Sequence, residues 1–170
     1  GKQNTIIGGL AGDALTTGGD NVAVGYLALS SEDTGAKRVA IGRKALFSQN
    51  YDGEAYNVAV GYDAGLSVTT GINNTIVGGL AGDALTTGNS NVAIGYNSLS
   101  TEDSGGRNTA IGWSTLTNLD AGADAYNVAV GYNAANDMTT ALQSVVIGGF
   151  AGDAITTGSY NIAIGYNLSL

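Results

Sequence analysis

The sequence repeats itself, and the short length of the repeating unit is the feature that most limits its possible folds. Most units begin with Asn, continue with three apolar or Thr residues and then have Gly, as in residues 57–61. The pattern occurs ten times, starting at positions 4, 21, 38, 57, 74, 91, 108, 127, 144 and 161. A unit as short as this cannot bury a core alone and must stack on its neighbours.

The units are grouped in a longer period that spans four of them. The spacing between successive starts is 17, then 17, then 19, then 17, and this order begins again at position 74. Segment 76–88 repeats segment 6–18 almost unchanged, and segment 127–132 is identical to 57–62. The chain is therefore predicted to be a single repeat domain, 1–170, with four kinds of coil, and we expect it to be part of a longer fibre.

Each unit is expected to contain two short extended segments and two turns. The first segment is the run like 57–62, and the second lies around a later Ala–Leu pair such as Ala45 and Leu46. No stretch has the i, i+3, i+4, i+7 apolar spacing of an amphipathic helix. The 28 Gly favour tight turns, and the lack of Pro leaves every backbone N–H free for a ladder. The predicted fold is all-β, a parallel β-solenoid or β-roll of ten stacked coils.

The first extended segment is apolar on both of its faces. The second and fourth positions of the unit share one face, and the third position, usually Ala, lies on the other. Strands that read as continuous apolar runs are covered on both sides. One face is expected to line the coil, and the other to contact a partner. Because the small Ala and the following Gly would admit a second backbone, we expect a homo-oligomer, most simply a closed cyclic one.

Two positions of the unit are interpreted as structural. The fifth position is always Gly, which suggests a bend or a close approach that the coil geometry demands. The first position is usually Asn, a turn residue that can also form hydrogen-bonded ladders. The residues concerned are Gly8, Gly25, Gly42, Gly61, Gly78, Gly95, Gly112, Gly131, Gly148 and Gly165, with Asn4, Asn21, Asn57, Asn74, Asn91, Asn108, Asn127 and Asn161.

The sixth position is aromatic in six units and is a candidate binding surface. We expect these rings to stack along the rod as structural rungs, and the alternative is that they grip a host glycan or protein. The candidates for binding are Tyr62, Tyr96, Trp113 and Tyr132.

The two longer units, which start at 38 and 108, carry insertions that are a second candidate surface. Insertions in solenoids emerge on one face, often the binding face. The candidates here are Tyr51, Asp52, Glu54, Asp120 and Asp124. The alternative interpretation is a wider turn with solvated acids.

The composition argues against most chemistry. Without His or Cys, the chain lacks the usual general base, metal ligands and thiol nucleophile. The acid pairs at 32–33 and 102–103 recur with the repeat, which argues for a structural role because an active site is normally unique. Asp13, Asp83 and Asp153 lie in a motif only faintly like Ca²⁺-binding nonapeptides and are interpreted as turn residues. We therefore expect no enzyme activity, no catalytic or metal site and no cofactor.

Charge and hydropathy restrict the possible partners. The net charge of −8 provides no basic stripe for nucleic acid. No apolar run approaches the ~20 residues of a membrane span, so membrane insertion is not expected.

The repeats resemble those of two related families of fibrous proteins. The segments NVAIGYNSL (91–99) and NVAVGYNA (127–134) are similar to the head repeats of trimeric, YadA-like autotransporter adhesins and, more closely, to the NTAVGYQAL-type repeats of phage tail fibres, which often precede an intramolecular chaperone. The resemblance implies a homotrimeric shaft on a virion tail fibre, working in host attachment. The alternatives are a bacterial surface adhesin or extracellular filament subunit and, remotely, a polysaccharide-degrading solenoid.

Overall fold

The computed structural model describes residues 1–169, and over that range the chain is all β, as predicted. It forms one sheet of ten three-residue strands, with no helix in this range. The strands, β1 to β10 in chain order, are Thr5–Ile7, Val22–Val24, Val39–Ile41, Val58–Val60, Thr75–Val77, Val92–Ile94, Thr109–Ile111, Val128–Val130, Val145–Ile147 and Ile162–Ile164. They are hydrogen-bonded in sequence order, and neighbours are parallel.

Each strand begins one residue after the start of a repeat unit, so that one unit forms one coil of the solenoid. Neighbouring strands are offset by one unit, as in the pairing of Val22 with Val39. At the two longer units the offset increases by two, since Val39 pairs with Val58 and Thr109 with Val128. We call residues 38–56 the first long coil and residues 108–126 the second long coil. Their two extra residues lie outside the sheet.

The middle residue of a strand lies inside its own coil. From β2 to β10 this residue is buried, whereas the residues on either side are half-buried or exposed. Ala23, Ala59 and Ala93 have no exposed surface in the single chain. The expectation that these small Ala residues admit a second copy is therefore wrong. The face left for a partner is the one that carries the larger second and fourth residues of the unit.

The interior is filled by residues of complementary size at the third position of the unit, in the strand, and at the ninth position. Where the strand offers Ala, the ninth position of the unit can be Leu, as for Ala23 and Leu29, both fully buried. Where the strand offers Ile76, the ninth position is Gly82, and a Cβ added there would lie 3.5 Å from the Ile76 Cδ1 atom. Complementary volumes of this kind keep a thin core close-packed.

The second half of the coil is not the extended strand that was predicted. Ala45 and Leu46 lie in a turn, and Leu46 has φ of 48°. Successive coils are nevertheless hydrogen-bonded here, with Leu29 N–H donating to Ala45 O at 3.0 Å and Leu46 N–H to Ala64 O at 3.1 Å. Each coil thus has one strand and a hydrogen-bonded stack of turns.

The invariant Gly is required both by its backbone conformation and by the next coil. Gly8 and Gly131 have φ of 130° and 140°. A Cβ on Gly8 would lie 2.7 Å from the carbonyl oxygen of Gly25, which holds the same position one coil later. The close backbone approach predicted for this Gly therefore occurs between coils of one chain.

The Asn residues at the first position connect each coil to the next from inside. Asn74 Oδ1 accepts from the N–H of Asn91 at 2.8 Å, and Asn74 Nδ2 donates to Gly88 O at 2.8 Å. Asn21 bonds in the same way to Arg38 N and Gly35 O. The ladder thus runs from amide to backbone.

Candidate functional site

The aromatic residues of the sixth position form a row on the outside of the rod. Tyr96, Trp113 and Tyr132 follow β6, β7 and β8 in consecutive coils. The ring centroids of Tyr96 and Trp113 are 6.1 Å apart at an interplanar angle of 18°, and those of Trp113 and Tyr132 are 4.9 Å apart at 8°. The three side chains stack on one another and are still 50, 44 and 49 % exposed.

Tyr62 has a cation as its neighbour in place of another ring. The Arg43 guanidinium lies 5.1 Å from the Tyr62 ring centroid, and Arg43 Nη1 donates to the Tyr62 hydroxyl at 3.0 Å. Arg43 holds the same repeat position as Trp113. Since neighbours cover the faces of these rings, a partner would meet mainly ring edges and hydroxyl groups, which suit mixed apolar and hydrogen-bonding contacts.

The three candidate residues in the loop of the first long coil, Tyr51, Asp52 and Glu54, have different contacts and do not form one site. Glu54 is bound at the surface by Lys37 Nζ at 2.7 Å and by the Tyr56 hydroxyl, which donates at 2.5 Å. Hydrogen bonds from these two groups lower the pKa of Glu54, and the bonds to Glu54 and Tyr56 raise the pKa of Lys37. Asp52 accepts from the hydroxyl of Thr34 at 2.9 Å.

Tyr51 contributes its backbone to a buried ion pair beneath this loop. Glu32 and Arg38 have fully buried side chains, with Arg38 Nη2 2.8 Å from Glu32 Oε2. Glu32 also accepts from Gly35 N at 2.7 Å and from Tyr51 N at 3.2 Å, and Arg38 Nη2 donates to Tyr51 O at 2.5 Å. Burial lowers the pKa of Arg38, and the Glu32 carboxylate opposes that effect.

The second long coil covers the equivalent carboxylate, which belongs to the coil before it, and has Asn in place of the arginine. Glu102 is fully buried and accepts from Gly105 N at 2.7 Å and from Ala121 N at 3.0 Å. The residue that corresponds to Arg38 is Asn108, also fully buried. Burial is the main cause of a raised pKa at Glu102.

The loop above Glu102 separates its two candidate acids. Asp120 is exposed and lies with Asp103 beside Glu102, so that one oxygen from each carboxylate lies within 4.8 Å of the others. Asp124 forms an ion pair with Arg107 at the surface. The loop candidates are thus dispersed: Glu54 and Asp124 form surface ion pairs, Tyr51 and Asp120 lie beside buried carboxylates, and Asp52 bonds to Thr34.

Sequence reasoning placed Glu32 and Glu102 among ordinary turn acids and missed that they are buried. A signal was present, since Arg38 replaces the usual Asn of the first position in a unit that also carries an insertion. An arginine in an otherwise internal Asn position indicates a buried counter-charge nearby.

The three Asp residues of the calcium-like motif lie far apart. Asp13, Asp83 and Asp153 are each separated by four coils, or about 19 Å at about 4.8 Å per coil. They cannot share one ion. Burial is the main cause of a raised pKa at Asp83.

Comparison with known proteins gives no assignment, because no family model, curated protein or solved structure matches this chain. Within residues 1–169, no helix combines the length and the apolar character that crossing a membrane requires.

Proposed function

We propose that the chain is a shaft segment of a homotrimeric fibre, most closely a phage tail fibre that supports host attachment. The observation that carries the proposal is the outer face of the sheet. The two flanking positions of the ten strands present twenty side chains, and all are Val, Ile or Thr. Even in the middle of the rod, Ile41 and Ile111 are 38 and 36 % exposed.

A face of this kind is unusual for a surface in contact with water. Parallel sheets are normally covered on both sides, and large apolar patches on soluble proteins mark interfaces. The face follows the stacking direction along the whole sheet and carries no charge. A second copy has the same apolar strip with the same spacing, so rotation about an axis parallel to the rod brings matching strips together.

The choice of three copies and of a tail fibre is supported by the repeats at 91–99 and 127–134, which resemble those of trimeric fibres. A rod whose coils all carry the same outer strip suits a spacer that holds a receptor-binding tip away from a virion. The proposed function implies that the protein is located in the tail of a virion.

The trimer is tested by light scattering after size-exclusion chromatography. We expect a mass three times that of the 16.9-kDa chain. A mass equal to one chain, at concentrations where the protein shows β-sheet circular dichroism, would contradict the proposal.

Paired variants separate the interface from the fold. Val60 and Val77 are register partners on the outer face. The double variant Val60→Lys/Val77→Lys is expected to yield monomers that keep their β-sheet spectrum. The matched control, Thr87→Lys at an exposed turn position, is expected to remain trimeric. If both proteins remain trimeric, the outer face is not the interface.

A second candidate, a bacterial surface adhesin whose rod itself binds a glycan, is favoured by the exposed aromatic row. Loss of glycan-array binding in Trp113→Ala, with the trimer intact, would support this candidate. Immunogold labelling then distinguishes the two origins, since antibody would mark virion tails in one case and the cell envelope in the other.

A further inference from the structure

The two long coils differ at the place where their loops cover a buried carboxylate. The first long coil has Arg38 and Asn50 there, and the second has Asn108 and Asp120 at the corresponding positions. The two loops begin alike, because the N–H of Asn50 and that of Asp120 each donate to a Thr carbonyl of the next coil, at 3.0 and 2.8 Å. Two residues later the backbones differ, since Gly122 has a φ of 63° and the corresponding Asp52 has no positive φ.

These substitutions change the charge around the carboxylate in one direction. In the first set, Glu32, Asp33, Arg38 and Asn50 together carry a formal charge of −1. Their counterparts, Glu102, Asp103, Asn108 and Asp120, together carry −3. A buried carboxylate requires a compensating charge or proton. One divalent cation would return the second cluster to the charge of the first.

The three carboxylates are spaced for an ion. One oxygen each of Glu102, Asp103 and Asp120 lies within 4.8 Å of the other two. Two ligands on opposite sides of a Ca²⁺ ion are about 4.6–5.2 Å apart, twice the usual Ca–O length. The oxygens can therefore surround one ion with small movements of the two exposed Asp side chains.

An independent observation comes from Asn108, beside this cluster. Its side chain is fully buried, and within residues 1–169 its Nδ2 atom has no hydrogen-bond acceptor. In a short coil, Asn91 Nδ2 donates to Gly105 O at 2.9 Å. In the first long coil, Arg38 extends from the equivalent position and places its guanidinium against Glu32. Asn108 holds the repeat position of Arg38, and its short neutral side chain cannot form the equivalent ion pair.

We propose that Glu102, Asp103 and Asp120 bind a divalent cation of the Ca²⁺ type, which replaces in the second long coil the Arg38 guanidinium of the first. The inference does not depend on the function proposed above. Water completes the shell and can accept from Asn108 Nδ2.

The ligand set favours Ca²⁺ over other metals. All ligands are hard oxygen atoms, which suit Ca²⁺ and Mg²⁺ and not the softer transition metals. Two of the three carboxylates lie on exposed turns, and such flexible sites accept the irregular geometry of Ca²⁺ more readily than the octahedron of Mg²⁺. We expect a dissociation constant of about 0.1–1 mM.

The proposal is tested on the whole chain, freed of metal with a chelator and titrated with CaCl₂ by calorimetry and with Tb³⁺ by luminescence. We expect one ion per chain. Asp120→Asn should weaken Ca²⁺ binding about tenfold or more, because it removes one charged ligand. The matched control is Asp33→Asn, which changes the counterpart of Asp103 beside Arg38 and should leave binding unchanged.

A second variant tests whether a metal ion can replace the Arg38 guanidinium in the first long coil. The double variant Arg38→Asn/Asn50→Asp gives the first long coil the residues of the second, and we expect it to bind two ions per chain. No binding up to about 10 mM Ca²⁺, well above the expected constant, would overturn the proposal. Equal weakening by Asp120→Asn and Asp33→Asn would also overturn it, and these two single substitutions, neither of them at a buried residue, decide the matter even if the double variant does not fold.

Discussion

The two long coils cover corresponding carboxylates, Glu32 and Glu102, which belong to the coils before them and have different electrostatic surroundings. Glu32 accepts from backbone N–H groups at 2.7 and 3.2 Å and lies 2.8 Å from Arg38. Glu102 accepts the corresponding backbone bonds at 2.7 and 3.0 Å, and its neighbour at the arginine position is Asn108. Since the backbone bonds match, the two carboxylates differ mainly in their charged neighbours, the Arg38 guanidinium beside Glu32 and the Asp120 carboxylate beside Glu102.

The turn positions the carboxylate at both sites, whereas an arginine supplies a counter-charge at only one of them. The backbone donors, Gly35 and Gly105 among them, are set by the fold of the coil. Arg38 is buried in the first long coil and supplies the positive charge that compensates the Glu32 carboxylate. A buried ion pair often contributes little net stability compared with an apolar pair, yet losing one partner is costly because a charge stays buried. The two coils should therefore respond differently to the same substitution.

The largest expected difference is between Glu32→Gln and Glu102→Gln. The first should cost about 3–5 kcal/mol, because Arg38 stays buried without its counter-charge. The second should cost about 1 kcal/mol or less, because it loses one backbone bond and removes an uncompensated charge. Urea unfolding of metal-free protein measures both, and hydrogen exchange of the Gly35 and Gly105 amides, which donate to the two carboxylates, reports each site separately. Equal costs would show that the guanidinium is not what distinguishes the coils.

A second variant places an arginine beside Glu102, at the position that Arg38 holds beside Glu32. Asn108→Arg should stabilise metal-free protein by about 1–3 kcal/mol, because the new guanidinium can reach Glu102. This gain is smaller than the cost of breaking a buried ion pair, since burying the guanidinium is itself unfavourable. The measurement is a double-mutant cycle in urea with Glu102→Gln as the second change. The gain should vanish in the Glu102→Gln background. A gain that persists there would come from packing alone.

Much of the fold could be predicted from the sequence because its constraints are local and repeated. Every strand begins one residue after a predicted unit start, since Asn and Gly mark both ends of the run. Which face is internal was not predicted, because Ala23 and its Val neighbours are all apolar. The signal that was present is weak, a Thr on the outer face in three strands, at Thr5, Thr75 and Thr109. The second extended segment was mispredicted because Leu46 adopts a positive φ that its residue type does not reveal.

The candidate site was less predictable, because its geometry depends on contacts between coils. The acid before Gly in segment 102–105 has the pattern of a solvated turn. Its burial comes from a loop one coil later, where Ala121 donates to Glu102. Such a contact follows only once the stacking of the long coils is known. The aromatic stack of Tyr96 and Trp113 was simpler to foresee, since equal positions in adjacent coils must be neighbours.

A smaller effect is a pH dependence of stability that Glu102 is expected to cause. Burial, with Asp120 and Asp103 as further causes, raises the pKa of Glu102 above its ordinary value near 4.5. The folded chain therefore binds this proton more tightly than the unfolded chain does. The resulting stability is fully present below the unfolded pKa and is lost as pH rises through the folded pKa.

The wild-type protein should consequently gain stability relative to Glu102→Gln as metal-free samples are acidified towards pH 4.5. Thermal melts over a pH series measure the difference. Asn108→Arg is the control, since a cation beside Glu102 favours the ionised form and should reduce this trend. A difference that stays constant with pH would mean that Glu102 has the same pKa in the folded and unfolded chains.

The smallest expected effects come from the surface ion pairs, in which the two long coils agree. Lys37 binds Glu54 at 2.7 Å in the first, and Arg107 binds Asp124 in the second. Exposed pairs are weakened by solvent and salt, so Lys37→Ala and Arg107→Ala should shift the urea midpoint only slightly and by equal amounts. Both shifts should shrink further in high salt. If Arg107→Ala proved much the costlier, the surface pairs would have to replace the buried carboxylates as the main difference between the coils.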